Sequence, residues 1–169
     1  MGINVMSNPH GRRLIRGLII GAALLCACGP TLAATGDHAA VFNANCSMCH
    51  QLGATGVTGQ FPRLAGRVGH IATTAAGRHY LERVVLYGMM GDITVDGTPI
   101  VGGVMPSFAS LSNDDLADAL NYVVSLDASG KLQWKGATFK PADIARARTG
   151  KPLSPMQVHE LRLATLGKK

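Results

Sequence analysis

The sequence predicts an all-α domain, small and built on three or four helices, and three observations carry that prediction. A Cys46-Ser47-Met48-Cys49-His50 pentapeptide closes the first helical stretch. Two further segments, His79–Gly88 and the run after Ser112, repeat apolar residues at helical spacing. Once an N-terminal leader is set aside, about 136 residues remain, enough for one small domain and not comfortably two. Aromatic residues make up only 5% of the chain, so a core of this size is thin unless something else fills it.

The pentapeptide says what that filler is. Cys-x-x-Cys-His is the attachment signature of c-type haem. On a helix, Cys46 and Cys49 share a face, so both sulfurs can form thioethers along one edge of the macrocycle. His50, four residues after Cys46, returns to the same side and offers an imidazole to the iron. With 4 Cys and 6 His in 169 residues, chance produces the pattern about three times in a thousand. Competing readings explain less. A thioredoxin-like pair needs a βαβ context that the flanks do not offer. A structural zinc site needs a second ligand pair, and the remaining cysteines, Cys26 and Cys28, lie in the leader. A structural disulfide leaves His50 without a role.

The leader sets the compartment. Arg12, Arg13 and Arg16 form a positive start, and Gly17–Cys28 is an apolar run of 12 residues ended by Pro30. Small residues at Ala33-Ala34 then supply a cleavage site, the pattern of a secretory signal peptide over residues 1–33. A bilayer span needs about 20 residues, so a retained anchor fits less well. Leu25-Cys26-Ala27-Cys28 loosely matches a lipoprotein box, which would lipidate Cys28. Arg12-Arg13 also hints at twin-arginine export, but that route carries folded proteins, whereas haem attachment acts on an unfolded chain. The expected location is the bacterial periplasm.

The mature chain is read in order. Ala40, Val41 and Phe42 lead from Asp37 into the haem signature. Residues 51–69, with five glycines and Pro62, form an extended loop over one haem edge. His79–Gly88 is the second helix, with Leu81, Val84 and Val85 on one face and Gly88 as its C-cap. Ile93–Val101 is a hairpin turning at Asp96-Gly97. Ser112 caps the third helix, with Asp115 at the capping-box position. Leu116, Leu120, Tyr122, Val123 and Val124 form its apolar face, ending near Asp127. Pro141–Arg148 and Pro155–Leu166 are short helices with proline in the first turn, and Trp134 and Phe139 are candidate anchors for this tail.

A second iron ligand is sought among the methionines. Gly102-Gly103-Val104-Met105-Pro106 offers a flexible approach and a thioether, while Met89 and Met90, between Gly88 and Gly91, compete with it. Met48 and Met156 read as soft filling. His70 and His79, in a loop and at a helix start, read as surface or propionate-side residues rather than ligands.

Across residues 36–127 the chain resembles a class I, single-haem cytochrome c. The matching motifs are Phe42 four residues before Cys46, the haem signature, and Pro62-Arg63-Leu64-Ala65-Gly66. Tyr80-Leu81 with Gly88, Met105-Pro106-Ser107-Phe108, Leu111–Asp115 and Asn121-Tyr122 follow in order. The resemblance implies a small cytochrome c fold around one covalent haem c, with His50 and Met105 as axial ligands. It places Phe42 and Tyr122 where the first and last helices cross. It also has Pro62 offer its carbonyl to His50, an outer contact that orients the imidazole. Two departures remain: a hairpin inserted at 92–103, and the extension 128–169.

Residues 34–127 carry 4 Lys/Arg against 8 Asp/Glu, a net of −4, and residues 128–169 carry 9 against 2, a net of +7. An acidic domain with a basic tail is not the pattern of a nucleic-acid binder. The tail is expected to fold back on the domain or meet an acidic partner. Its removal is expected to spare the haem site, because every haem motif precedes Asp127. The functional reading is a one-electron carrier and not an enzyme, since two strong axial ligands leave no open position for substrate. Its expected partners are a periplasmic dehydrogenase as donor and an oxidase or other respiratory acceptor. The alternatives are a ligand-binding or peroxidatic haem protein, and a non-catalytic haem subunit of a larger oxidoreductase.

Overall fold

The first helix of the domain, α1 (His38–Asn45), presents a single large side chain, Phe42, to the interior. Phe42 meets Tyr122 of α5 (Asn113–Val124) with ring centroids 5.0 Å apart and planes tilted by 41°. A tilted aromatic pair of this kind adds to the area it buries. His38 Nδ1 lies 2.7 Å from Asp118 Oδ1 on the same partner helix, so the crossing is fixed at two points. The computed structural model describes residues 1–2, 38–133 and 139–167. The leader residues discussed above, together with Asp37 and Trp134, lie outside them.

After α1 the chain loosens at Cys46 and resumes as α2 (Ser47–His50). Helical bonding bridges the break: the Cys46 N–H donates to Phe42 O at 2.8 Å and the His50 N–H to Cys46 O at 2.9 Å. The predicted loop follows, containing a single 3-10 turn at Leu52–Ala54, and ends in the short helix α3 (Val68–Ile71). Gly56 in this loop has φ +68°, and a Cβ there would stand 2.5 Å from the Phe61 carbonyl oxygen. Only glycine permits that close fold of the loop on itself.

Helix α4 (Ala75–Tyr87) begins four residues before the predicted start. Its N-cap is Thr74, whose Oγ1 accepts the Gly77 N–H at 3.0 Å. Gly77 hides this start in the sequence, because glycine weakens a helix interior. Gly88 closes the helix with φ +71°, as its position in the sequence implied.

Four short strands follow, which an all-α prediction with one hairpin covers only in part. The predicted hairpin is present as β2 (Ile93–Val95) and β3 (Thr98–Ile100). Asp96 and Gly97 both take positive φ at its turn, the geometry that matches strand twist in two-residue hairpins. A second ladder joins β1 (Met89–Met90) to β4 (Val104–Met105), with Met89 opposite Met105. Two-residue strands leave no periodicity to read, so this ladder was invisible in the sequence. Helix α5 has the expected capping box between Ser112 and Asp115 and stops at Val124, three residues short of the expected end.

The tail shares the core of the domain; the described residues from His38 onward form one compact unit. Phe139 is buried, and its backbone is matched by the Asn121 side chain, which donates to Phe139 O at 2.9 Å and accepts from Phe139 N at 2.7 Å. Helix α6 (Pro141–Thr149) buries Ile144 and Ala147 against α4 and α5. Its Arg148 donates to Asn113 Oδ1 and to the carbonyls of Ala109 and Leu111, all within 2.7 Å. Helix α7 (Pro155–Leu166) buries Val158 and Arg162 and packs on α4 and β1. No helix among the described residues is long and apolar enough to cross a membrane.

Two measurements check this packing. Ile144, like Val158, is 0% exposed, and Ile144→Ala is expected to cost about 2–5 kcal/mol in denaturant unfolding of the haem-loaded protein. A loss under about 0.5 kcal/mol is what a solvated tail gives. Glu82 of α4 is buried, and burial, aided by Asp143, holds its carboxyl above the usual range against Arg146, Arg78 and Arg83. A raised folded-state value means the folded protein resists losing this proton, so stability falls as pH rises from the ordinary glutamate range through the raised value. Glu82→Gln is therefore expected to raise Tm at neutral pH, with the gain vanishing below about pH 4. A gain that persists unchanged in acid contradicts it.

Candidate functional site

The loop, α4, the two ladders and α7 surround a largely apolar space. Its inner part, about 820 Å³ including the open mouth, is walled by Phe42, Val68, Leu81, Leu120 and Val123. Its outer part, about 1260 Å³ on the same measure, opens between the haem-signature residues and the 100–108 segment. Cys46, His50, Pro62, Met89, Ile93 and Met105 line both.

Each signature residue reaches this space because α1 delivers it there. Cys46 lies one turn beyond the packed Phe42 ring, Cys49 lines the outer part, and no disulfide joins the two sulfurs. Burial, with a smaller contribution from Cys49, pushes the Cys46 thiol up to about 11. His50 is buried with its Nδ1 2.9 Å from the Pro62 carbonyl oxygen. A carbonyl can only accept, so Nδ1 carries the proton and Nε2 keeps its lone pair. Burial lowers the imidazole's affinity for a second proton, opposed in part by the Pro62 bond. The neutral form, the one that ligates metal, is thereby favoured.

The three candidate methionines stand differently. Met105 is half-buried at the rim common to both parts. Met89, opposite it in the ladder, is 8% exposed, and its sulfur accepts from the Tyr80 hydroxyl at 3.8 Å. Met90 is 44% exposed and lines neither part. Met48 is 86% exposed at the outer edge, not core filling. His70 and His79 are exposed and line neither part.

Two thiols and a singly protonated imidazole on one wall of an apolar space suit a planar, mostly apolar group fixed by two thioethers. Among the described residues no set of three or more His, Cys, Asp and Glu side chains gathers as a metal cage. A haem iron needs none, because the macrocycle supplies four of its ligands. The fold and the site define a c-type cytochrome. The cytochrome c family profile matches residues 37–127. A cytochrome c-552 of Thermus thermophilus is 37% identical over 149 residues, covering 87% of this chain and 92% of that protein. A second Thermus thermophilus cytochrome c-552 is 40% identical over 124 residues, covering 72% and 91%. The chain belongs to the cytochrome c family, as a haem electron carrier with covalently bound haem c, and Cys46 and Cys49 are positioned for its attachment.

The first of these alignments covers 87% of the chain, more than residues 1–127 can supply, so the likeness runs into the tail. The structure gives the last helix of the tail a place at the site. Arg162 and Leu166 of α7 line the inner part together with Arg67 and Tyr80. This corrects the expectation that the haem site lies wholly before Asp127. The sequence does hold a signal for it: Arg162 follows Val158 by four residues, on the buried face of α7.

Attachment is checked directly. Haem in the mature protein is expected to remain with the polypeptide through acid–acetone extraction. The double variant Cys46→Ala, Cys49→Ala is expected to lose haem and fail to fold, because the space it leaves is far larger than the cavities that cost a core several kcal/mol. A well-folded, haem-free wild type from cells competent in haem attachment contradicts the assignment.

Proposed function

We propose that this chain is an exported bacterial protein of the periplasm with one haem, ligated by His50 and Met105. It passes single electrons from a dehydrogenase to an oxidase or another respiratory acceptor. The haem supplies the ferric–ferrous couple; the chain's residues hold it, tune it and control access. The observation that carries the reading is the division of labour between the paired methionines. Both line the same space as His50, but the Met89 sulfur is engaged by the Tyr80 hydroxyl and Met89 is buried, whereas Met105 stands half-buried at the rim. A thioether opposite imidazole favours the reduced iron and raises the potential, which suits a carrier.

Other features support the reading. Gly88 lets the segment bearing Met105 approach: a Cβ there would lie 2.4 Å from the Met105 carbonyl oxygen. The Ser107 hydroxyl donates to Leu86 O, and the Phe108 N–H to Val85 O at 3.0 Å. Both bonds pin the chain after Pro106 to α4, so the thioether is presented from a braced strand. Met48, Val101 and Val104, all strongly exposed, rim the outer part and offer an apolar edge at which a redox partner can approach closely. Two strong axial ligands leave no open position for substrate, which argues for a carrier over a peroxidatic protein.

Met105→Ala is expected to abolish the sulfur-to-iron charge-transfer band of the oxidised protein and to admit carbon monoxide to the ferrous form. The potential is expected to fall by on the order of 0.1 V or more, a fraction of the ~0.8 V over which axial ligands set haem potentials. Met89→Ala is expected to keep the band. The reverse result assigns the ligand to Met89.

A further inference from the structure

Met105 is followed by a stretch with little regular structure of its own. Residues 106–112 belong to no helix or strand, although Ser107 and Phe108 are bonded to α4. Beyond Phe108 one side chain of the tail takes over. Arg148 donates from Nη1 to Ala109 O at 2.7 Å and from Nη2 to Leu111 O at 2.6 Å. Its Nε donates to Oδ1 of Asn113, the first residue of α5, at 2.7 Å. All three guanidinium nitrogens are thus spent on the five residues 109–113. Arg148 also stands on a fixed support, the last turn of α6. There the carbonyl of buried Ala147 accepts from the Arg83 guanidinium and the Tyr87 hydroxyl, both on α4.

We propose that Arg148 is a positioning residue for Met105: it clamps residues 109–113, and the thioether leaves the iron only when that clamp releases. The inference rests on Met105 as the ligand and extends it to a tail residue beyond the family's matched region, which ends at 127. Upstream, the ladder to Met89 anchors the methionine. Downstream, the chain must swing away from α4 for the sulfur to withdraw, and residues 109–113 are the arm on which it swings. Holding an arginine in one geometry costs rotamer freedom, and a planar guanidinium repays that best where several acceptors meet its fork. Bonds from an ionised donor are stronger than the neutral bonds at Ser107 and Phe108. Arg148 lines neither the inner nor the outer part of the site, so it acts on the iron only through the segment it holds.

The test is imidazole binding to the oxidised, haem-loaded protein, followed by loss of the sulfur charge-transfer band. Imidazole takes the position only after the thioether has left, so its affinity and rate report how readily Met105 opens. Arg148→Gln is expected to bind imidazole about tenfold or more tightly than the wild type, and faster, because charge-assisted bonds are lost. Arg148→Lys keeps the charge without the three-way fork and is expected to behave as Arg148→Gln does. Phe139→Leu weakens the packing of the tail without touching residues 109–113, and is expected to keep wild-type affinity. Where Arg148→Gln does not fold, Asn113→Ala removes one acceptor and is expected to tighten binding by a smaller factor. Wild-type affinity in Arg148→Gln, or in Asn113→Ala where that variant stands in, overturns the proposal. Wild-type affinity in Arg148→Lys assigns the effect to charge, and an equal rise in Phe139→Leu assigns it to general loosening; either overturns it too. Met105→Ala separates the two readings. A retained band brings down the ligand and the clamp together, whereas a lost band beside an unaltered Arg148→Gln brings down the clamp alone.

Discussion

The contact between Phe42 and Tyr122 places everything that follows. The ring of Phe42 is the only large side chain that α1 buries, and the Phe42 carbonyl accepts the Cys46 N–H. The first thioether position is therefore one hydrogen bond from the packed ring, and His50 is one further helical bond along. A slip of α1 along α5 would carry both sulfurs and the imidazole off the wall together. The His38–Asp118 contact opposes such a slip at the other end of α1. What fixes the position of His50 is thus a helix crossing, with the Pro62 carbonyl settling the rotation of its imidazole.

A large apolar space at the centre of a small protein is unstable as an empty volume, because its lining loses its contacts on one side. This chain assigns its best apolar residues, Phe42, Leu81, Leu120 and Val123, to that lining. Its remaining core is built largely of alanine and leucine with Tyr122, and Ile144, Val158 and Phe139 come from the tail. The same fact explains the low aromatic content and the integration of the tail. The group at the centre serves as core, and the two tail helices cover what the domain alone leaves open on α4 and β1.

How much of this the sequence displays follows from the range of each interaction. Signals set by a few neighbouring residues were legible: the haem signature, the Ser112–Asp115 capping box, the Asp96-Gly97 turn, Gly88 as a helix end, and both proline-led tail helices. The boundary at Thr74 was missed because Gly77, demanded by its approach to the Ile71 carbonyl, reads locally as a breaker. The ladder between β1 and β4 was missed because it pairs residues distant in sequence over too few positions for a pattern. The inward place of Arg162 is signalled only by its four-residue spacing from Val158, and a charged residue on an apolar stripe also reads as the edge of a solvated face, so tertiary packing decides between the two.

Charge is not what holds the tail to the domain, although one is basic and the other acidic. Among the described residues, the ion pair that bridges them joins Arg78 of the domain to Asp143 of the tail, at 3.5 Å, the reverse of the overall signs. Arg146 pairs with Asp143 within the tail itself, and Arg148 spends its donors on Asn113 and two backbone carbonyls. Ile144, Ala147, Val158 and Phe139 provide the buried contacts, beside which one partly buried ion pair at 3.5 Å contributes little. The sequence's asymmetry, +7 over residues 128–169 against −4 over residues 34–127, is therefore little used in packing the tail. Charge of that kind bears on how fast a protein meets a charged partner more than on its fold, and most strongly at low ionic strength.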